Sequence, residues 1–295
     1  MLVLIAGITG SLGQRLASNA LSRGLSVRGL GRDATKLPPS ISKELESFVT
    51  STSCYDLDAL DQAVQGVDGI ICCYAPNPIL NLDGALLLLR AAEKAGVKIN
   101  FGDFAHYDTH IAFEQHAAAT SSVPPAYFFT GVFSDLLLTN HGPGSFTLDD
   151  QGKATLQYWA DGNTSKTSWS SQDDVAAWTI EIFLNGEGVQ EGKGGFFRFR
   201  SGEVSMEELA DAYRRISGRE IELKKVGSLE DLERDLARLR LEHGRANHWE
   251  YAKQVAALLT LKGSWKLDAD ELTVLDHVKK PRTLEECLKE HLKLA

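Results

Sequence analysis

Cysteine is scarce in this chain of 295 residues, and it is badly spaced for metal. Cys54, Cys72, Cys73 and Cys287 match no zinc pattern, and the adjacent pair falls inside an apolar run expected to be a buried strand. Free thiols in a reducing compartment follow. Basic clusters are also missing: 40 acidic residues against 31 basic ones give a net charge of -9, which argues against nucleic acid or an anionic membrane as partner. No apolar run reaches the roughly 20 residues that a membrane helix needs. The apolar N-terminus is too short for a secretory signal and has no basic segment ahead of it, so a cytoplasmic protein is expected. There is no internal repeat or low-complexity tract. The length suffices for a large core in one domain or two, and the oligomeric state stays open.

What is present begins at once. Leu2-Val3-Leu4-Ile5-Ala6 reads as a buried strand and runs into Gly7-Ile8-Thr9-Gly10-Ser11-Leu12-Gly13. Leu12, Leu16, Ala17, Ala20 and Leu21 then mark one apolar helical face, closed by Arg23-Gly24. A strand, a glycine turn and a helix in this order suit a dinucleotide. A pyrophosphate needs backbone N–H groups and a helix N-terminus aimed at it, with no side chain in the way. Gly7 makes the tight turn, Gly10 admits the phosphates and Gly13 lets the helix approach its strand. The spacing is G-x-x-G-x-x-G, which fits the general G-x-G-x-x-G fingerprint only loosely. Thr9, Ser11 and Leu12 complete the expected cradle.

The second strand, Ser26 to Leu30, ends at Gly31-Arg32-Asp33, with Arg32 nineteen residues beyond Gly13. A carboxylate at that tip would accept from a ribose 2′-OH, whereas a guanidinium grips a 2′-phosphate. Arg32, helped by Lys36, therefore points to NADP(H) rather than NAD(H), although Asp33 stands beside them.

Strands and helices keep alternating. Phe48-Val49 is a third strand, Asp56 caps a helix closed by Gly66, Val67 to Tyr74 is a buried strand, and Ala75-Pro76-Asn77-Pro78 breaks the chain. A leucine-rich helix to Gly96 precedes the strand Val97 to Phe101. The fold class is α/β, a doubly wound parallel sheet. Ligands of such sheets sit beyond the carboxyl ends of the strands, here after Ala6, Leu30, Cys73 and Phe101. Tyr74, Ala75 and Gly102 join the cofactor residues on that ground. The rhythm weakens after residue 134. Residues 1–133 are expected to form the dinucleotide domain, with a return near 171–186 where Ser171-Gln172-Asp173-Asp174 resembles a capping box. Residues 134–170 and 187–295 form a smaller, irregular substrate-binding part. There Leu229, Leu232, Leu236 and Leu239 make an amphipathic stripe, the charges from Glu230 to Glu242 a solvated face, and Trp159, Trp169, Trp249 and Trp265 suit either core or an aromatic substrate.

Taken in order, these pieces resemble the NmrA-like and isoflavone reductase-like group of atypical short-chain dehydrogenases. The resemblance rests on the opening glycine turn, Gly31-Arg32-Asp33-Ala34-Thr35-Lys36, Gly66-Val67-Asp68, Ala95-Gly96-Val97-Lys98, Thr130-Gly131-Val132-Phe133, and Ser201-Gly202-Glu203-Val204-Ser205 leading to Glu208-Leu209-Ala210. It implies a Rossmann domain that binds NADPH, a smaller C-terminal domain, and reduction of aromatic or polyketide-derived metabolites. Some members of the group are cofactor-sensing regulators instead. The departures are chemical. His116 stands where isoflavone-type reductases carry a lysine, and no tyrosine of the chain is followed by a lysine four residues on. Acid candidates therefore come from the segment after the fifth strand: His106, Tyr107 and His116, with Asp103 as an orienting carboxylate. His106 and His110 have no third ligand nearby, so no metal site is read there. Phe133, after Gly131, is expected against the nicotinamide. The leading reading is an NADPH-dependent reductase acting on a small molecule. An NADP(H)-binding regulator and a non-redox isomerase or cyclase on the same scaffold remain open.

Overall fold

A computed structural model of the protein describes residues 1–101, 107–264, 266–267, 275 and 277–293. In chain order the first elements are β1 (Leu2–Ala6), α1 (Ser11–Ser22), β2 (Ser26–Gly31), α2 (Pro39–Ser42), β3 (Ser47–Thr50), α3 (Leu57–Ala63), β4 (Gly69–Cys72), α4 (Ala85–Ala95), β5 (Ile99–Phe101), α5 (Tyr107–Thr120) and β6 (Pro125–Phe129). There follow β7 (Val132–Phe133), α6 (Ser134–Leu137), β8 (Thr147–Leu148), β9 (Ala154–Tyr158), β10 (Thr167–Ser170), α7 (Gln172–Asn185), β11 (Gly195–Arg198), β12 (Gly202–Val204), α8 (Met206–Ser217), β13 (Ile221–Lys225), α9 (Leu229–His243), α10 (Ala252–Leu261) and α11 (Leu284–His291).

The chain divides into two compact units. The first comprises Met1–Phe129, Val175–Arg198 and His277–Lys279. Its sheet has the order β11-β6-β5-β4-β1-β2-β3, with every pairing parallel. The order reverses between β1 and β4, which opens a crevice at their carboxyl ends, the usual ligand position in doubly wound sheets. Val3, Leu4, Ile5 and Ala6 are buried, as are Ile70, Ile71 and Cys72 on the neighbouring strand. Near-continuous apolar strands of this kind follow from a sheet covered on both faces.

Two sequence expectations are corrected here. The domain boundary falls at Phe129, not 133, because Val132 and Phe133 pair with Trp169 and Ser170 of β10 in the other unit. The sheet also gains β11, a strand expected in the smaller part; Phe196 and Phe197 stack on Tyr127 and Phe128 at 5.1 and 5.7 Å between ring centroids. That cross-strand stacking accounts for the aromatic run of β6.

The second unit holds Thr130–Asp174, Phe199–Asp276 and Lys280–Ala295. It contains two small sheets, β12-β10-β7 and β13-β9-β8. Leu156, Trp169, Leu209, Tyr213 and Leu288 are among the residues of one buried cluster. Ser205 and Glu208 form a reciprocal capping box on α8, and Ser228 with Asp231 does the same on α9, where Leu232 and Leu236 are buried. Ser171 caps α7 through the Asp174 N–H, but Asp174 does not answer it. Its carboxylate takes the Ser201 hydroxyl and the Arg282 N–H instead.

Candidate functional site: a glycine turn at the sheet's switch point

Three glycines of the opening turn do three different things. Gly7 has φ +86°, and a Cβ on it would lie 2.6 Å from the carbonyl oxygen of Cys73. Only glycine holds both that conformation and that approach between β1 and the end of β4. A Cβ on Gly13 would lie 2.4 Å from the Gly7 oxygen and 2.7 Å from the Ile8 Cα, so Gly13 lets α1 press onto the turn. Gly10 differs from both. Its backbone is extended (φ -77°, ψ 166°), and a Cβ would meet only the Gly7 oxygen, at 3.3 Å. A side chain at this position would ask the Gly7 carbonyl to give by only a few tenths of an ångström and is otherwise met by open space.

Gly10 is also the N-cap of α1, and no side chain caps the helix or places an acid in its first turn. The N–H groups at the start of α1 have no intrahelical acceptor, and the positive end of the helix dipole is not offset. Ser11, Leu12 and Gly13 thus begin a backbone cradle for an anion. The residues fit a dinucleotide pyrophosphate: an uncapped helix N-terminus, and a glycine whose missing side chain faces outward.

At the tip of β2 the charged residues separate by role. Asp33 is tied up locally: its carboxylate accepts from the Thr35 hydroxyl at 2.6 Å and the Thr35 N–H at 3.0 Å. These bonds hold the Asp33 carboxyl below its ordinary range. Arg32 and Lys36 are exposed, and Arg32 makes no ion pair with a described residue. Gln14 was not singled out by the sequence; its Nε2 donates to the Thr9 carbonyl at 3.0 Å and the Lys36 carbonyl at 3.4 Å. It pins the Lys36 loop against the glycine turn. Arg15 is a second such residue, donating to the Ser11 hydroxyl at 2.8 Å.

Tyr74 and Ala75 follow β4 and so border the same crevice. The Tyr74 ring packs on the core beside Gly84, while Ala75 is exposed. Beyond them the chain makes a π-helical turn, Leu80–Gly84, before α4, with Asn77 Oδ1 accepting from the Ile79 N–H at 2.9 Å. Such turns are rare and gather at functional sites.

The acid candidates do not all converge. Gly102, Asp103 and His106 lie outside the described residues, and Tyr107 is described only as the first residue of α5. His116 is described. It lies nine residues into a helix that runs back from the end of β5 toward the start of β6, about 13 Å along its axis. It is exposed, with Nε2 3.3 Å from a guanidinium nitrogen of Arg90 on α4. A guanidinium only donates, so Nε2 accepts. The inward face of α5 is carried by Phe113 and Ala117. Phe133 sits in the second unit, preceding α6, beside a Gly131 whose Cβ would lie 2.3 Å from the Ser168 oxygen.

No curated protein matches the sequence. Solved structures do resemble the fold. A ternary complex of leucoanthocyanidin reductase from Vitis vinifera is 17% identical, with 99% of this chain and 100% of that one covered and a TM-score of 0.76. NADPH-dependent quinone oxidoreductase QOR2 from Escherichia coli, complexed with NADPH, is 17% identical over 98% and 99% of the two chains, with a TM-score of 0.74. An isoflavone reductase is 19% identical over 98% of each, with a TM-score of 0.71. At residues 1–288 the sequence matches the NmrA-like family, and the chain belongs to that family.

Proposed function

We propose that the protein is an NADP(H)-dependent reductase of a small aromatic or polyketide-derived carbonyl compound, with the cofactor held by the first unit. One observation carries this reading: an uncapped, glycine-lined helix N-terminus stands beside a free arginine whose acidic neighbour is already engaged. In this reading the N–H groups from Ser11 to Gly13 bind the pyrophosphate, and Gly7 and Thr9 shape the turn. Arg32 and Lys36 take the 2′-phosphate, while Tyr74 and Ala75, and Gly102 by its place in the sequence after β5, serve the rest of the cofactor. NADPH supplies a hydride when bound. A proton must then reach the substrate oxygen, and Asp103, His106 and Tyr107, which follow β5, are the residues proposed to deliver or orient it. The leucoanthocyanidin, isoflavone and quinone reductases that share the fold support a reductase.

The experiment is to follow loss of the reduced nicotinamide with a panel of aromatic ketones, enones and quinones. Oxidation of NADPH by at least one of them is expected. Tyr107→Phe should lower turnover by roughly 10² to 10⁴ if its hydroxyl is the acid, whereas His116→Ala should stay within about twofold of the native enzyme. A large loss in His116→Ala would restore it as the proton donor. No oxidation across the panel, with NADPH still bound, would favour the regulator or the non-redox enzyme; the absent tyrosine–lysine pair and the position of His116 already lean that way.

A further inference from the structure

The second unit contains a cavity of about 340 Å³. Ser145, Gln157 and Trp159 form one part of its wall, and Asp235, Lys253 and Gln254, on α9 and α10, form another. Gln254 is the informative member. It is only 6% exposed, and its Nε2 donates to Asp235 Oδ2 at 3.0 Å. A carboxylate only accepts, so this contact fixes which end of the amide is nitrogen. The other end, Oε1, is buried and has no hydrogen-bond partner. Buried acceptors are nearly always paired, and leaving one unpaired is costly.

The surroundings narrow what fills that role. Asp235 is not the group in need of a partner, because its Oδ1 takes an Arg238 N–H at 2.7 Å. Burial works against its charge, but the hydrogen bonds from Arg238 and Gln254, with the charge of Lys253, outweigh this and hold the carboxyl below its usual range. Arg238 is shared between Asp235 and Glu242, to which its other terminal nitrogen donates at 2.8 Å; the Lys253 ammonium lies near enough to Asp235 to act on its charge but makes no ion pair with a described residue. Trp159 contributes a flat aromatic surface. Backbone strain gathers here too. Ser145 has φ +40°, and Ala160, directly after Trp159, has φ +48°. Non-glycine residues persist in that region where the surroundings over-determine them, as at ligand sites.

We propose that this cavity binds a small planar hydroxylated aromatic acid. Its hydroxyl donates to Gln254 Oε1, its ring lies on Trp159 and its carboxylate pairs with Lys253. The volume lies at the small end of ligand pockets, which suits one or two rings. Every residue invoked belongs to the second unit, so the inference does not rest on the proposed reductase activity, and binding requires no NADP(H).

Titration calorimetry of the full chain with 4-hydroxybenzoate and benzoate tests it. Saturable binding of 4-hydroxybenzoate is expected, with benzoate at least about tenfold weaker because it leaves Oε1 unpaired. Gln254→Met keeps the side-chain length and removes the acceptor, and should bring the two ligands within about twofold of each other. Lys253→Met, at a partly exposed position, should weaken both by roughly tenfold while keeping the preference for the hydroxyl, and it serves if Gln254→Met fails to fold. Absence of saturable 4-hydroxybenzoate binding up to ~10 mM would overturn the proposal, and water would then be the partner of Gln254. So would equal affinities for the two acids in the native chain, a hydroxyl preference unchanged in folded Gln254→Met, or unweakened binding of both acids in Lys253→Met.

Discussion

Gly10→Val is expected to lose NADPH binding by more than about 100-fold while the chain stays folded. The two halves of that expectation rest on different atoms. Folding survives because the Gly10 backbone is extended, a conformation valine favours, and because a Cβ there meets only the Gly7 carbonyl oxygen, at 3.3 Å. That contact asks for a shift of a few tenths of an ångström. Binding fails because a branched side chain at the N-cap would stand over the N–H groups that open α1, where the pyrophosphate must come close. Circular dichroism checks the fold and calorimetry the affinity. Native-like binding by a folded Gly10→Val would mean that the turn serves β1 and α1 alone.

Gly13→Ala separates propensity from packing. Within α1, alanine in place of glycine should stabilise by about 1 kcal/mol on helix propensity alone. The added Cβ, however, would lie 2.4 Å from the Gly7 oxygen and 2.7 Å from the Ile8 Cα, both backbone atoms that cannot swing aside. Overpacking of this kind typically costs about 1–3 kcal/mol and more when backbone must move, so the clash wins and net destabilisation of about 2 kcal/mol or more is expected. Urea denaturation with Ser18→Ala as control checks it, since Ser18 is exposed on the same helix and should gain a few tenths of a kcal/mol. A Gly13→Ala midpoint above the native one would show that α1 does not need this close approach.

The parts legible in the sequence were those fixed by local chemistry. The opening turn could be read because Gly7, Gly10 and Gly13 fall between an apolar strand and an amphipathic helix, and all the constraints on them come from within a few residues or from the adjacent β4. Asp56 at the start of α3 declared itself in the same way, since a cap is a contact with the next turn. Long-range pairings stayed hidden. Gly195–Arg198 carries no signal of which sheet it joins, because the choice is made by its hydrogen bonds to β6, more than sixty residues earlier. Val132 and Phe133 likewise look continuous with β6 until their pairing with β10 is seen. The exposure of His116 had a usable signal: Phe113 and Ala117 mark the inward face of α5, and His116 falls between them, off that face. The engagement of Asp33 was also accessible, since an aspartate two residues before a threonine is a local turn signature.

The central claim is that this chain holds NADP(H) through the glycine turn and Arg32. Parallel calorimetric titrations of the native protein and Arg32→Ala with NADPH and NADH test it most directly. The native chain is predicted to bind NADPH at least about tenfold more tightly than NADH, the equivalent of about 1.4 kcal/mol from a charge-assisted phosphate contact. In Arg32→Ala the NADPH affinity should fall toward that of NADH, with NADH itself little changed. Equal affinities in the native chain, or a preference for NADPH untouched by the loss of Arg32, would contradict the account.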